Sequence, residues 1–234
     1  MIFITGDQHR DFSSIYKFCK KFKTTKKDIM IILGDSGINY FLNSKDITLK
    51  KKLAKYPITF FCVHGNHEER PENISTYKTK EFHNGIVYYE EEYQNILFAK
   101  DGQIYDFNNL KTLVVGGACS NDKGYRIRVG IQWFESELPT VEQKKEILKS
   151  IELNKDNIDV ILTHTCPFKY LPIDSYIKFI DSENSYNDFE KWLDMLLELN
   201  YIKWYCGHYH INRTVDKIKF IYNDIVQFIG DDNV

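Results

Sequence analysis

The sequence lacks any C-x-x-C pair, and its five cysteines are widely spaced and odd in number. A small fold held by disulfides, or a zinc site built from thiolates, would need paired cysteines at regular spacings. The pattern therefore argues against both classes of protein. We expect free thiols, several of them packed in strands as small apolar side chains.

Long apolar runs are also missing. No stretch approaches the roughly 20 apolar residues that a membrane-spanning helix needs. Residues 1–5 are typical of a short buried strand, and they lack the basic start and the long apolar run of a secretory signal. We therefore expect a cytoplasmic protein without a membrane partner.

Charge of one sign is not in excess, because 31 basic and 33 acidic residues give a formal net charge of −2. Binding to nucleic acid through its phosphates usually needs a basic excess on one face. The lysine-rich run at residues 17–27 is the best candidate, although a solvated helix face is the commoner explanation of such a run. A nucleic-acid partner is thus left open but not favoured, and the sequence does not indicate an oligomeric state.

Linkers rich in proline, glycine or serine are absent, so one domain over residues 1–234 is the simplest interpretation. Apolar runs predict strands, and amphipathic runs predict helices between them. In the first third, a β-α-β-α-β order predicts parallel pairing with right-handed crossovers. The predicted strands are at residues 1–5, 29–33 and 58–63; the predicted helices follow Asp11 and cover residues 44–55.

The middle of the chain changes character, with short strands and tight connections that predict antiparallel or mixed pairing. These strands are at residues 86–89, 96–99, 103–107 and 110–115. A helix at 141–153, a strand at 160–163, a helix at 186–199, a strand at 203–206 and a hairpin-like tail at 213–228 follow. The fold class is α/β, with two mixed β-sheets packed as a four-layer sandwich flanked by helices.

Potential metal ligands come directly after five of the predicted strands. In open α/β sheets, sites gather at the carboxyl ends of the strands, so these segments are expected to converge on one cleft. Imidazole, carboxylate and carbonyl donors together suit manganese, iron or zinc better than magnesium or calcium. The residues are Asp7 and His9, then Asp35, then Asn66 and His67, then His164, and finally His208 and His210.

The order of these blocks along the chain resembles that of a known protein superfamily. Asp-x-His, Gly-Asp, Gly-Asn-His-Glu, a lone His and Gly-His-x-His follow one another from Asp7 to His210. This set resembles the calcineurin-like metallophosphoesterase superfamily. The Gly-Gly-Ala segment at residues 116–118, with Trp133, Glu137 and Pro139, further resembles a small single-domain bacterial or phage branch of it. The resemblance implies a two-sheet sandwich and a hydrolase of phosphomonoesters or phosphodiesters.

The resemblance also implies roles for the residues. Two divalent cations, manganese or iron with zinc as an option, would activate a bridging hydroxide that attacks phosphorus. His67 would not bind a cation but would steady or protonate the leaving oxygen. The first cation would be held by Asp7, His9 and His210, the second by Asn66, His164 and His208, with Asp35 bridging both.

The chain departs from the superfamily pattern near His67. Many members carry an acidic residue three positions after the bridging aspartate, where this chain has Ile38 followed by Asn39. Without that carboxylate, an electrostatic role for His67 is expected rather than a general-acid role. Two further residues, Arg10 and Arg126, are candidate contacts to substrate phosphate, and a solvated arginine is the commoner alternative for each.

A small phosphate ester or a nucleotide is the expected substrate. The chain lacks the arginines that flank these blocks in protein serine/threonine phosphatases, and no basic groove is evident from its composition. Two alternatives stay open: an enzyme that processes nucleic acid, and a non-catalytic scaffold that keeps the fold. Of the other histidines, His83 is expected in a surface loop, and His64 is equally compatible with the cleft and with the interior.

Overall fold

The computed structural model describes residues 1–176 and 188–229. The helices in these ranges are α1 (Ser13–Phe22), α2 (Ser44–Leu53), α3 (Lys123–Val129), α4 (Val141–Asn154), α5 (Ile173–Tyr176) and α6 (Asp188–Leu193). The strands are β1 (Ile2–Thr5), β2 (Ile29–Ile32), β3 (Thr59–Cys62), β4 (Lys78–Phe82), β5 (Gly85–Tyr89), β6 (Ile96–Ala99), β7 (Ile104–Phe107), β8 (Leu110–Val115), β9 (Val160–Thr163), β10 (Lys203–Cys206), β11 (Arg213–Val215), β12 (Ile218–Phe220) and β13 (Val226–Gln227).

The strands form two mixed sheets. The first has the order β13-β1-β2-β3-β6-β5-β4, and the second has the order β11-β12-β10-β9-β8-β7. The four strands β1, β2, β3 and β6 are parallel to one another, as are β8, β9, β10 and β12. Because parallel strands end at the same edge of a sheet, each sheet gathers several loops at one carboxyl edge.

Alternation along the strands assigns the two faces of each sheet. In β1, Ile4 packs between the two sheets, together with Leu162 of the second sheet. Its neighbour Phe3 points outward, where α1 and α2 cover the first sheet. On the outer face of the second sheet, Ile147 of α4 and Leu193 of α6 belong to a third cluster. Both faces of both sheets are thus covered, which gives the four layers that the sequence predicts.

Aromatic side chains join the two sheets. The ring of Phe61, on β3, lies edge-on to the rings of Tyr105 and Phe107 on β7, with centroids 4.9 and 5.1 Å apart. All three side chains are buried. Burying a side chain of this size contributes roughly 1.5–3 kcal/mol, so these contacts help to fix the relative position of the two carboxyl edges.

The structure differs from the sequence predictions at β4, at α3, in the tail and in the last predicted helix. Strand β4 was not predicted because its Lys-Thr-Lys-Glu-Phe sequence is mostly polar, as suits a strand at the edge of a sheet. Helix α3 was not predicted because its apolar residues, Tyr125, Ile127 and Val129, alternate with arginines and do not form a helical stripe. The expected tail hairpin is only β11–β12, since β13 crosses back to pair with β1 in the first sheet.

The predicted helix at residues 186–199 is shorter in the structure. Residues 186 and 187 lie outside the described residues; α6 ends at Leu193, and a 3-10 turn (Asp194–Glu198) follows it. Among the described residues, no helix has the length and apolar character needed to cross a membrane.

Candidate metal centre

The eight residues predicted for the site lie in loops at the carboxyl edges of the two sheets. These loops follow β1, β2 and β3 in the first sheet, and β9 and β10 in the second. A contact across the sheets joins them, because Nδ1 of His164, after β9, is 2.6 Å from the carbonyl oxygen of Leu33, after β2. The fold therefore brings together blocks that are up to about 200 positions apart in the sequence.

Three of the residues form a group that we call the open half of the centre: Asp7, His9 and His210. Nε2 of His210 lies 3.1 Å from Oδ2 of Asp7 and 3.0 Å from Nε2 of His9. The two histidine side chains are partly exposed, whereas the Asp7 side chain is buried. Their donor atoms lie within 4.8 Å of one another, close enough to hold one metal ion.

Four residues form what we call the buried half: Asp35, Asn66, His164 and His208. Nε2 of His164 lies 3.4 Å from Oδ1 of Asp35 and 3.0 Å from Oδ1 of Asn66. The ring of His208 stands edge-on to that of His164, with centroids 5.0 Å apart. A second group that could hold a metal ion consists of Asp7, Asp35 and His164, so it links the two halves.

Hydrogen bonds to the protein fix the direction of two donors in the buried half. The amide nitrogen of Asn66 donates to Oγ of Ser120 at 3.0 Å, which leaves its Oδ1 facing His164. The bond from Nδ1–H of His164 to Leu33 leaves Nε2 of the same ring facing the centre. Such outer bonds fix the tautomer and orientation of histidine ligands in metal sites. The donors are thus set for a metal before one is bound.

The two carboxylates are held in the same way. Oδ1 of Asp7 accepts the backbone N–H of His208 at 2.9 Å, and Oδ1 of Asp35 accepts that of His67 at 2.8 Å. In each case Oδ2 faces imidazoles, and Oδ2 of Asp35 lies 4.0 Å from Nδ1 of His9 in the open half. Asp35 therefore faces donors of both halves, as a bridging ligand must.

Electrostatics in the buried half favour a cation. Burial opposes the charge of Asp35, but the imidazoles of His164 and His67 hold its pKa well below the usual range. Burial would lower the pKa of His164, yet the Asp35 charge outweighs this effect and raises it to about 9. Burial lowers the pKa of His208 to about 3. The imidazole of His208 is therefore neutral at physiological pH, which is the form that binds metals.

The donor set fits a pair of divalent cations of the manganese, iron or zinc type. It combines imidazole nitrogens with carboxylate and amide oxygens, a mixture that these metals prefer. Together with the outer hydrogen bonds, this chemistry agrees with the ligand roles that the sequence predicts; those roles stay a prediction.

The loops that carry the ligands are tightly wound. His9, Asp35, His208 and His210 have φ values of 42°, 47°, 67° and 52°. Left-handed backbone costs a residue other than glycine about 1–2 kcal/mol, and such strain clusters at functional sites. Gly34 has a φ of 92°, and a Cβ there would lie 2.1 Å from Nδ1 of His164. Only glycine fits at this position.

His67 lies between the two halves and Arg126. Its Nε2 is 3.7 Å from Oδ2 of Asp35 and 3.4 Å from Nη2 of Arg126. Burial lowers the pKa of His67, and the Arg126 charge lowers it further against the opposing effect of Asp35. Ile38, which stands where many superfamily members have an acidic residue, is buried, as is its neighbour Asn39. Oδ1 of Asn39 accepts a hydrogen bond from the hydroxyl of Tyr77.

The two arginines predicted for phosphate binding lie in different surroundings. Arg126 is fixed by Oδ1 of Asp122 at 2.7 Å, and its other end reaches His67. Arg10 instead points away from the ligands: its Nη1 is 2.6 Å from Oδ1 of Asp46, and its guanidinium lies over the ring of Phe41. The structure therefore places only Arg126 beside the predicted catalytic histidine.

Support for the buried half comes from residues that have no ligand motif. Oγ of Thr165 lies 2.9 Å from Oε1 of Glu190 and 2.7 Å from the hydroxyl of Tyr209. Thr165 follows one ligand and Tyr209 lies between two others, so this network ties together the loops after β9 and β10. The adjacency of Thr165 and Tyr209 to the ligands is visible in the sequence, but their contact is not.

A second support reaches Asn66. Oε2 of Glu137 accepts the backbone N–H of Ser120 at 3.2 Å and the indole N–H of Trp133 at 2.9 Å. Ser120 in turn holds the Asn66 amide. In the open half, the ring of Tyr222 stacks on His210, with centroids 4.3 Å apart. Trp133 and Glu137 belong to the residues that carry the resemblance to a small single-domain branch. Nothing in the sequence indicates Ser120 or Tyr222.

The remaining two histidines lie outside the centre. His64 is buried, with both ring nitrogens unpartnered among the described residues. It is an interior residue close enough to the buried half for the charges of His164 and Asp35 to act on it. His83 is exposed in the turn between β4 and β5, as expected.

Comparison with known proteins bears on the family of the chain and on its fold. A family model described as calcineurin-like phosphoesterase matches residues 1–212. The crystal structure of TT1561 from Thermus thermophilus is 15% identical, with a TM-score of 0.47 over 88% of this chain and 80% of that one. Another crystal structure is 12% identical, with a TM-score of 0.53 over 94% of this chain and 88% of that one. No curated protein matches at a significant level.

Proposed function

The chain belongs to the calcineurin-like phosphoesterase family, and from this premise we propose that it hydrolyses small phosphate esters or nucleotides with two divalent cations. The observation that carries the proposal is the position of Asp35, whose two carboxylate oxygens face His164 in the buried half and His9 in the open half. Manganese or iron is the proposed metal, with zinc as an option.

The residues of the chain have distinct tasks in this proposal. Asp7, His9 and His210 would hold one cation, and Asn66, His164 and His208 the other, with Asp35 shared. Bound cations of this kind stabilise the negative charge that develops on phosphate oxygens and make water a stronger nucleophile. Positioning and charge stabilisation account for most of the catalysis of phosphoryl transfer.

His67 and Arg126 act on the substrate. Because Nη2 of Arg126 is 3.4 Å from Nε2 of His67, both can reach one phosphate group placed against the two halves. Burial and the positive charge of Arg126 lower the pKa of His67, although Asp35 opposes them. A neutral imidazole favours a hydrogen-bonding role toward the leaving oxygen over proton donation. Arg10, by its contact with Asp46, would position the loop that carries His9 rather than touch phosphate.

The substrate proposal rests on the form of the site. Donors of the buried half are enclosed, those of the open half are partly exposed, and one arginine stands beside His67. A small ester or nucleotide needs no more contacts than these. Monoesters and diesters are both compatible with the arrangement.

The test uses the chelated protein, reloaded with manganese, iron or zinc. Two bound ions per chain and turnover of an aryl phosphate monoester, an aryl diester or free nucleotides are expected, and chelation should abolish that turnover. A folded protein that takes up no metal and turns over nothing would instead be a scaffold. Higher catalytic efficiency on structured RNA or duplex DNA than on every small ester would assign it to nucleic-acid processing.

A further inference from the structure

The near-neutral charge of the whole chain hides a strong asymmetry. Residues 11–58 contain eleven lysines and four aspartates, a formal charge of +7, whereas the whole chain carries −2. The rest of the chain therefore carries −9. The basic stretch includes α1 and α2, which share the outer face of the first sheet. The fold thus concentrates on one layer a charge that composition alone averages away.

The two helices lie side by side on that layer. The rings of Tyr16, on α1, and Tyr56, just after α2, have centroids 5.3 Å apart. Nζ of Lys26 donates to the carbonyl oxygen of Ala54 at 3.0 Å. Both Lys17 and Lys52 act electrostatically on the carboxylate of Asp11. Lys17, Lys26 and Lys52 therefore lie on a surface that the two helices share.

Ten of the eleven lysines are exposed. We call them the lysine face: Lys17, Lys20, Lys21, Lys23, Lys26, Lys27, Lys45, Lys51, Lys52 and Lys55. The aspartates of the same stretch do little to neutralise them. Asp28 binds the N-terminal ammonium at 2.6 Å, Asp46 binds Arg10 at 2.6 Å, and Asp35 belongs to the metal centre. Only Asp11 stays among the lysines.

We propose that the lysine face binds single-stranded nucleic acid, independently of the metal centre. Each of the two helices has ten residues and is about 15 Å long, so side by side they offer a track for roughly four phosphates of one strand. Lysines act as point charges without the bidentate geometry that reads bases, so binding should not depend on sequence. The structure offers no feature on this face that selects ribose over deoxyribose, so DNA and RNA strands should bind alike.

An exposed aromatic ring among the lysines favours a single strand. Tyr16 is 42% exposed, and Nζ of Lys20 lies 4.4 Å from the centroid of its ring. Proteins that bind single strands combine a basic track with aromatic rings on which bases stack. A membrane surface would instead need aliphatic anchors amid the lysines, whereas the exposed Leu42 and Ile47 lie at one end, near the start of α2.

The binding test uses the metal-free full chain and labelled oligothymidine and oligouridine of about 20 nucleotides, a length that covers the sites of such proteins. Fluorescence anisotropy at several salt concentrations should give a slope of log affinity against log salt of roughly −3, from about 0.7 per phosphate contact. Anionic vesicles provide a third arm. Binding to vesicles but not to oligonucleotides would assign the face to a membrane and overturn the proposal.

Matched charge reversals locate the site. Lys17→Glu, Lys20→Glu and Lys52→Glu together should weaken binding by more than about 10-fold and make the salt slope shallower by roughly 2. Lys145→Glu, Lys149→Glu and Lys155→Glu change the net charge equally on the opposite helix layer and should leave the slope unchanged. Equal losses in both triple variants, or no salt-dependent binding by the unaltered chain, would overturn the proposal.

A third variant tests base stacking on Tyr16. A hydrolysis assay then separates the nucleic-acid proposal from the proposed enzyme function. Tyr16→Ala should weaken binding by about 5-fold or more, as loss of one stacked base does, without changing the salt slope. Circular dichroism confirms that each variant is folded. Hydrolysis of a small aryl ester should be the same in the lysine variants and the unaltered chain, so absent hydrolysis would count against the enzyme proposal alone.

Discussion

In the open half of the metal centre, the side chains of His9 and His210 are 37% and 46% exposed, whereas those of Asp35 and His164 in the buried half are 2% and 0% exposed. The two halves use similar donors but differ in what holds them. In the buried half, hydrogen bonds from Asn66 to Ser120 and from His164 to Leu33 orient the ligands.

The open half depends more on contacts among its own members. His9 contacts His210 and Asp7, and the Tyr222 ring covers one side of His210. A site whose ligands are held beforehand loses less conformational entropy when it binds an ion. We therefore expect the buried half to bind its cation more tightly, and the open half to lose its cation first during chelation.

The largest effect is expected from Asp35→Asn, because this carboxylate faces both halves. The substitution removes the shared charge, so metal content should fall in both halves together. Turnover should drop by more than about 100-fold, because replacing a residue that only hydrogen-bonds to a metal ligand already costs up to about 100-fold. Elemental analysis and rates would be compared with those of Asp28→Asn, a remote control. Retention of two ions by Asp35→Asn would show that the halves do not share this ligand.

His67→Ala tests a residue that stands between the halves and is proposed to bind neither ion. Metal content should stay at two ions per chain while the rate falls by about 10²–10³-fold, the usual cost of removing one hydrogen-bond donor to a developing negative charge. The measurement pairs elemental analysis with steady-state kinetics. Loss of an ion would make His67 a ligand, and an unchanged rate would remove it from the mechanism.

Glu190 tests whether supporting the buried half costs stability. Burial raises the pKa of this carboxyl to about 7, against a usual value of 4.5. The folded protein therefore holds a proton that the unfolded chain releases between these values, so folding becomes less favourable as pH rises from about 4.5 to about 7. The loss of folding free energy is absent at low pH and becomes constant above pH 7. The difference between the two pKa values corresponds to a loss of about 3 kcal/mol.

Glu190→Gln removes this titration. Denaturant unfolding should find the variant more stable than the unaltered chain at pH 8, and the difference should shrink toward pH 5. The supporting bond from Oγ of Thr165 can be kept by the amide oxygen. A stability difference that does not change with pH would show that the carboxyl is not titrating in this range.

Sequence order predicted that the candidate ligands would converge, because each follows a strand whose apolar pattern is plain; their roles as ligands stay a prediction. The four layers were predictable for the same reason. Their supports were not, since the bonds of Asn66 to Ser120 and of Thr165 to Glu190 join residues 54 and 25 positions apart in loops without any period. The lysine face was not predictable from the sequence either. Its lysines come from two separate stretches, and it is the crossovers β1-α1-β2 and β2-α2-β3 that place both helices on one layer.

Thr165→Val tests the support of the buried half itself. Valine keeps the shape but removes the hydroxyl that joins Glu190 to Tyr209. Affinity of the buried half for manganese should fall by about 10–100-fold, as when other outer partners of ligands are removed, while the open half is unchanged. Thr112→Val, at an equally buried threonine far from the loops, is the control. Equal losses in both variants would indicate a general packing effect.

The smallest effect is expected from Tyr222→Leu in the open half. The ring of Tyr222 lies nearly parallel to that of His210, at 15° and 4.3 Å between centroids. Leucine keeps an apolar contact but not the ring stacking, which is worth about 0.5–1.5 kcal/mol. Because Asp7 still contacts His210 at 3.1 Å, the open half should lose no more than about 10-fold in manganese affinity. Tyr222→Phe keeps the ring and should restore the original affinity. Manganese titration followed by electron paramagnetic resonance distinguishes coupled pairs from single ions, so it reports the loss of one ion. A crystal structure of the manganese-loaded variant then shows which half has emptied. Loss of the buried ion in Tyr222→Leu, with the open half still filled, would reverse the proposed difference between the halves.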